Sequence, residues 1–446
     1  MRWQQEVFGP LLERTLENAQ VRHLSTHYDL SKDSMLARAI VGRVNQVLDT
    51  EEKARRVQRV HSGELVLKTR RGPLVLPLRT AEDLERIVSG ERWPEVRRDI
   101  LSRCEALYRK LFPEAGRGET AGFLRTLWYQ PFRSPQGRPS LLWAARRHRP
   151  WSYPPRDREQ PLTELDRARR QKHRKEQAPG HLMPETLLGL RQFLREQAGI
   201  PPAIQEPMLV ELMAIRARFQ PRLETMRSGQ MPLVAMHVEA GRSLWQPTRY
   251  QPLSCVIVTP LTREESYTFI HQPPRHYEPL VALYGKRMAR VLTEAYLQDG
   301  LLSFAELQWI FLLSTVTVSR VIDYHQRHHQ VILPCPGTVL DMGGMLTHKN
   351  LIVRLYLQGM TVLEISKHTY HHPRSVDAYL KSFDAVLILH LYGLPPPLMA
   401  RILGRGESLV NEYLELIDEH LKAPEFMREY LRTRGLKINN QISYNG

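Results

Sequence analysis

The sequence predicts a mainly α protein with a small β component, ending in an array of helix-turn-helix and winged-helix units. Three observations predict it. Apolar residues recur at every fourth position over Leu36, Ile40, Val44 and Leu48, which is helical spacing. Strand-like apolar runs are few and short. Three C-terminal segments repeat the order of cap, helix, turn and second helix.

From the N-terminus, residues 1–115 read as an α-rich domain with one hairpin. Leu65-Val66-Leu67 and Leu74-Val75-Leu76 flank the turn-rich Lys68–Pro73. Thr80 with Asp83 three residues on caps a following helix. Residues 116–180 change character: prolines oppose a continuous helix, and arginines crowd around Trp143, Trp151 and Tyr153. In this linker Arg146, Arg147, Arg149, Arg169, Arg170 and Lys172 are the candidates for neutralising nucleic-acid phosphates. Residues 181–290 form a small α+β domain. Its strands are Leu233–Val238 and Leu253–Val258, packed on helices over 184–197 and 205–219.

The remaining sequence divides into three units: 291–350, 351–392 and 393–446. In the first, Ser303 and Glu306 form a capping box, Leu313-Ser314 turns the chain, and a second helix starts near Thr315. That helix offers Thr317, Ser319 and Arg320 outward, and Gln330–Leu340 is expected to follow as a β-wing. In the second, Gly359 stops a helix from Leu351, and Thr361 with Glu364 caps the next. His368-Thr369-Tyr370 turns, and His372 caps a helix with Pro373 at its first position. Arg374, Ser375, Asp377 and Lys381 are expected on its outer face, with His371 and His372 beside them, as the DNA-reading set. The third unit runs from Leu398 through Gly404-Arg405-Gly406 to Leu414. Its second helix carries Glu407, Glu412 and Glu415, which phosphates repel, so a structural or protein-facing role is expected. Val-x-x-Tyr occurs at Val321, Val376 and Val410, an internal repeat that suggests duplication.

Charge points the same way. The 446 residues hold 63 Lys and Arg against 47 Asp and Glu, a net charge of +16. Such an excess draws polyanions, of which nucleic acid is the commonest. Three cysteines lie too far apart for metal-ligand spacing or a disulfide scaffold. Neither a signal peptide nor a membrane-length apolar run is evident, so a cytoplasmic, nucleoid-associated protein is expected. Phosphate-binding glycine motifs for nucleotides are absent, and no cofactor is expected.

The stretch from about 185 to 421 resembles the bacterial family of unknown function DUF1670. The resemblance is carried by Leu312-Leu313-Ser314 with Val318-Ser319-Arg320, by Asp341-Met342-Gly343 to Thr347-His348-Lys349, by Gly359–Tyr379, and by Leu409–Tyr413. It implies helix-turn-helix content and an association with mobile elements. It implies no activity.

Sharper chemistry finds less support. His325, His329 and His348 have part of a zinc pattern, but histidines beside a DNA face more often donate to phosphates, and no metal site is assigned. His371-x-x-Arg374, Leu403-Gly404 and Tyr413 follow the order of a tyrosine recombinase, without its upstream arginine box. Asp323, Asp341, Asp377 and Asp384 lack the strand context of a metal-dependent transposase. No catalytic residue is therefore assigned. The expectation is a non-enzymatic, sequence-specific binder of double-stranded DNA, a transcriptional regulator or mobile-element accessory factor. It could pair with a second copy or another protein, and not with a membrane. The alternative is a protein-interaction scaffold on degenerate helix-turn-helix units, with a DNA recombinase or transposase as a minor one.

Overall fold

The computed structural model describes residues 2–30, 34–128, 184–240, 252–274, 276–329, 331–340, 346–421 and 432. The chain is mainly helical with small sheets, and divides into two compact units, Met1–Gln330 and Val331–Gly446.

The first unit opens with α1 (Arg2–Leu12), α2 (Leu16–His27) and α3 (Ser34–Ala54). Ala37, Ile40, Val41, Val44 and Leu48 form the buried stripe of α3, at the spacing expected. The hairpin of β1 (Glu64–Thr69) and β2 (Gly72–Pro77) pairs Leu65 with Leu76 and Leu67 with Leu74. The Thr80–Asp83 capping box opens α4 (Ala81–Val88), followed by α5 (Trp93–Leu111) and α6 (Arg117–Leu127).

Beyond residue 183 come α7 (Pro184–Glu196) and α8 (Pro202–Phe219). β3 (Met231–His237) pairs antiparallel with β4 (Leu253–Val258), Val234 opposite Cys255. β3 is the centre of the sheet, because the two-residue β5 (Gly300–Leu301) pairs with its other edge. Between them run α9 (Arg263–His271) and α10 (Tyr277–Tyr296), and α11 (Phe304–Phe311) and α12 (Thr315–His329) complete the unit.

The separate domains expected over 1–115 and 181–290 share one core instead. Leu24, Ile40, Val41 and Val44 pack with Leu190, Leu194, Met208 and Leu212. The hairpin is also tied to the central region, with Val66 N–H donating to Gln230 O at 2.9 Å and Gly229 N–H to Val66 O at 2.7 Å. Each part alone leaves one apolar face bare, so the halves complete each other.

Two buried arginines brace this unit. Arg287 donates from Nε to Pro260 O at 2.9 Å, and its guanidinium lies over Phe269, Tyr284 and Phe311 at 5.3, 5.2 and 5.1 Å. Burial lowers its pKa, and the ring faces stabilise the cation that remains. Arg14 donates from Nη1 to Glu306 Oε1 at 2.6 Å, with both side chains buried.

The second unit contains α13 (Pro336–Val339), α14 (Leu346–Leu357), α15 (Val362–Thr369), α16 (Pro373–Leu391), α17 (Pro396–Leu403) and α18 (Glu407–Leu421). Ile352, Ile365, Val376, Phe383, Met399, Val410 and Tyr413 meet in its core. The β-wing expected over Gln330–Leu340 is not formed: Val331–Cys335 pairs with no strand, and Pro336–Val339 is a helical turn. Pro334 and Pro336 remove two ladder donors, and Pro336 at the first helical position favours a helix start over a strand.

No single helix among the described residues is long and apolar enough to cross a membrane. The α11–α12 pair is apolar enough together, but its two helices meet at 100°.

Candidate nucleic-acid interface

Three short helices of eight residues each, α11, α15 and α17, end in a residue of left-handed conformation: Leu312, Tyr370 and Gly404. In each case a three-residue turn leads directly into a longer helix, α12, α16 or α18. The α11–α12 crossing of 100° lies within the range that defines a helix-turn-helix. Aligned on their turns, the units place Leu307, Ile365 and Met399 at one position of the first helix, all buried. At one position of the second helix they place Val318, Val376 and Val410, also buried. The Val-x-x-Tyr repeat is thereby corrected in the first unit, where Val318 rather than Val321 is the structural equivalent of Val376 and Val410.

The caps form as the sequence suggests. Ser303 and Glu306 close a capping box on α11, and Thr361 and Glu364 close one on α15. Ser314 Oγ accepts from Thr317 N–H at 3.2 Å and meets Thr317 Oγ1 at 2.8 Å. Thr317, expected to reach outward, is thus half-buried and engaged in the cap of α12. Ser319 is exposed and Arg320 half-exposed on that helix, beside the exposed apolar Val316. Val316 escapes sequence reasoning because an isolated valine reads as core.

In the second unit, His372 Nδ1 accepts from Arg374 N–H at 3.2 Å, capping α16 with a ring that is otherwise exposed. Arg374, Asp377, Ala378 and Lys381 follow at helical spacing along the open face of α16. Lys381 pairs with Asp377 at 2.7 Å, so Arg374 is the cation of this face that no carboxylate offsets among the described residues. Lys367 and His368, in the last turn of α15, are exposed on the support helix.

Two members of the expected reading set are corrected. His371 is buried, with Nδ1–H donating to Thr369 O at 2.8 Å, and its own carbonyl accepts from Ser366 Oγ at 2.6 Å. Ser375 is buried in the first turn of α16. His371 pins the turn to the support helix, and Ser375 joins the turn through its backbone N–H, which donates to His372 O at 2.8 Å. The left-handed Tyr370 reverses the chain at this turn, and His371 lies inside it while His372, the expected cap, stays exposed. The linker candidates Arg146, Arg147, Arg149, Arg169, Arg170 and Lys172 lie outside the described residues.

The third unit has a different surface. Leu398 and Ile402, one helical turn apart on α17, are exposed, and Glu407 and Glu415 are exposed on α18. Burial raises the pKa of Glu412, only partly offset by Lys349.

On α12, His325 is buried against α10, where Gly285 leaves room for the ring: a Cβ there would stand 2.8 Å from Nδ1. Burial first, then His329, His328 and Lys286, lowers the His325 pKa to about 4. The unfolded chain protonates such a histidine near pH 6.5. The stability contributed by the neutral ring is therefore complete above that pH and is lost as pH falls towards 4. Melting curves between pH 7.5 and 4.5 should drop more steeply for the native chain than for His325→Gln. Parallel curves would show that the ring carries no such linkage.

Fold and surfaces together define a mainly α protein in which three short helices each lead through a three-residue turn into a longer one, with polar or cationic side chains exposed on α12 and α16. Residues 208–416 match the family described as Protein of unknown function (DUF1670). No curated protein and no solved structure matches the chain.

Proposed function

We propose that this protein binds double-stranded DNA and reads its sequence chiefly through α16, as a transcriptional regulator or mobile-element accessory factor acting without catalysis. The observation that carries this reading is the second unit. There a capped three-residue turn presents the N-terminal part of α16 with exposed His372, Arg374 and Lys381, flanked by Lys367 and His368. Its first turn holds no acidic residue. Helix N-termini that enter a major groove need this arrangement, with short or cationic side chains outward and the helix dipole toward phosphate. Ser319, Arg320 and Val316 on α12 form a second, weaker reading head. The net charge of +16 supplies the general attraction to a polyanion.

Arg374→Ala should weaken binding to a selected duplex by about 1–3 kcal/mol, the worth of a bidentate guanine contact, and relax preference at one base pair. Selection from random duplexes, followed by titration of the enriched site and a scrambled one, measures it. Equal weakening on both would reduce Arg374 to a phosphate contact, and absence of binding at low salt would remove the DNA reading altogether. Deleting 143–175, the arginine-rich linker, should flatten the salt dependence by about 0.9 for each phosphate that the linker neutralises.

A second reading applies to the third unit. Exposed Leu398 and Ile402 beside Glu407 and Glu415 favour a protein surface there, whether a second copy or another chain. On this reading the array combines two DNA-facing units with one protein-facing unit.

A further inference from the structure

The first unit holds a cleft of about 440 Å³ between α2, α8 and the end of the β3–β4 ladder. Its walls carry five cationic or protonatable side chains, Arg22, His23, His27, Arg218 and His237, against a single carboxylate, Asp299. The floor is apolar, formed by Ile215, Phe219 and Leu253. Two of the neutral polar groups are already committed: Ser254 Oγ donates to Asp299 O at 2.8 Å, and Gln298 Nε2 donates to Ile257 O at 2.8 Å.

The cations are not committed in the same way. Arg22 Nη1 is buried with no hydrogen-bond partner among the described residues, and Arg22 forms no ion pair among them. Arg14, Arg216 and Arg287 each also have one such nitrogen, but their guanidiniums donate through another one, whereas the Arg22 side chain donates no hydrogen bond among the described residues. Arg218 is exposed at the mouth, and its only hydrogen bond among the described residues is from Nε to Ala214 O at 3.3 Å, which leaves both terminal nitrogens open. Glu239 N–H donates to His237 Nδ1 at 3.0 Å, so in the neutral ring the proton sits on Nε2 and that nitrogen is a donor. His23 and His27 are the exceptions: His23 Nε2 faces Glu211 Oε2 at 2.7 Å, and His27 also acts on that carboxylate.

Donors thus stand on three different elements, α2, α8 and β3, around one cavity with a greasy floor. A planar carboxylate offers two oxygens to such a set; a tetrahedral phosphate ester offers three, each with room for more than one donor. We propose that this cleft is a binding site for a phosphate monoester of mononucleotide size, its phosphate held by Arg22 and Arg218 with His237, and its body resting on Phe219, Ile215 and Leu253. None of its lining residues belongs to α11, α12, α15 or α16, and the proposal does not rest on whether those helices bind DNA.

Titration calorimetry of the full chain with AMP, inorganic phosphate and citrate, at constant ionic strength, tests it. AMP should bind, inorganic phosphate more weakly, and citrate most weakly. Arg22→Gln should weaken AMP at least about tenfold, because it removes a charge-assisted hydrogen bond. The melting temperature of the ligand-free Arg22→Gln protein should not fall, since an unpartnered charge has been removed. Arg218→Gln, changed at an exposed position that leaves folding intact, should also weaken AMP severalfold. Absence of binding by both phosphate probes at millimolar concentration would overturn the proposal. So would undiminished AMP binding in both variants, and so would citrate binding as tightly as AMP.

Discussion

Glu306→Ala is expected to lower the unfolding free energy of the first unit by about 3–5 kcal/mol, the range for breaking a buried ion pair. Its carboxylate does two jobs that no other side chain can assume. One oxygen accepts from Arg14 at 2.6 Å, and the other accepts from Ser303 N–H at 2.7 Å to close the α11 cap. Arg79, also buried, draws on the same negative charge, which partly offsets the burial that lowers its pKa to about 10. Removing the carboxylate therefore strands the Arg14 guanidinium, takes a compensating charge from Arg79 and opens the side-chain half of the capping box that Glu306 supplies. All seven tryptophans precede residue 330, so fluorescence during urea unfolding reports this unit. The double variant Arg14→Met with Glu306→Ala should recover part of the stability, because one stranded charge is gone. A single-variant effect below about 1 kcal/mol would mean that water replaces the pair and that the ion pair is not a brace.

Gly229→Ala should be more severe, destabilising by more than about 4 kcal/mol or abolishing folding of the first unit. Gly229 has φ +85°, and a Cβ there would stand 1.7 Å from the carbonyl oxygen of Leu261. Neither group can yield: Gly229 N–H is bonded to Val66 O, and the Leu261 backbone leads into the capping box of α9. Gly199→Ala separates the two contributions, since Gly199 has φ +65° and open space at its Cβ. That variant carries backbone strain alone, about 1–2 kcal/mol. Similar effects at both positions would show that the collision at residue 229 is relieved by backbone movement.

Much of this architecture is legible in the sequence because it is local. The α3 stripe, the β1–β2 register and the capping boxes at Thr80, Ser303 and Thr361 depend on residues within a turn or two of each other. So does the proline start of α16. What cannot be read depends on partners far away in the chain. The capping role of Glu306 is visible in Ser-x-x-Glu, but its pairing with Arg14 spans 292 positions. The merging of the N-terminal and central regions rests on α2 and α3 meeting α7 and α8, and nothing local marks those faces as mutual. The two-residue β5 is too short for any periodicity, and is a strand because β3 offers it an open edge.

The candidate interface divides in the same manner. Arg374 and Lys381 follow from helical spacing and stand exposed, whereas His371 and Ser375, expected outside, are buried. The turn makes the difference: a left-handed residue other than glycine, such as Tyr370, carries no sequence signature, and of the two histidines expected outside it leaves His372 exposed and His371 buried. Thr317 differs for a similar reason, because Ser314 claims it as a capping partner. The basic cleft escapes sequence reasoning because Arg22, Arg218 and His237 are dispersed over two hundred residues of sequence.

The shared core has a consequence for how the chain is made. Leu24, Ile40, Val41 and Val44 emerge from the ribosome well before Leu190, Leu194, Met208 and Leu212, the residues that cover them. At usual synthesis rates that delay is roughly ten to thirty seconds, during which a water-averse surface has no native cover. Nascent chains halted near residue 128 should therefore recruit holding chaperones, and chains extended past residue 219 should release them. The same timing argues against expressing only the family-matched stretch, because a start at residue 208 cuts α8 in its first turns and discards the helices that shield it.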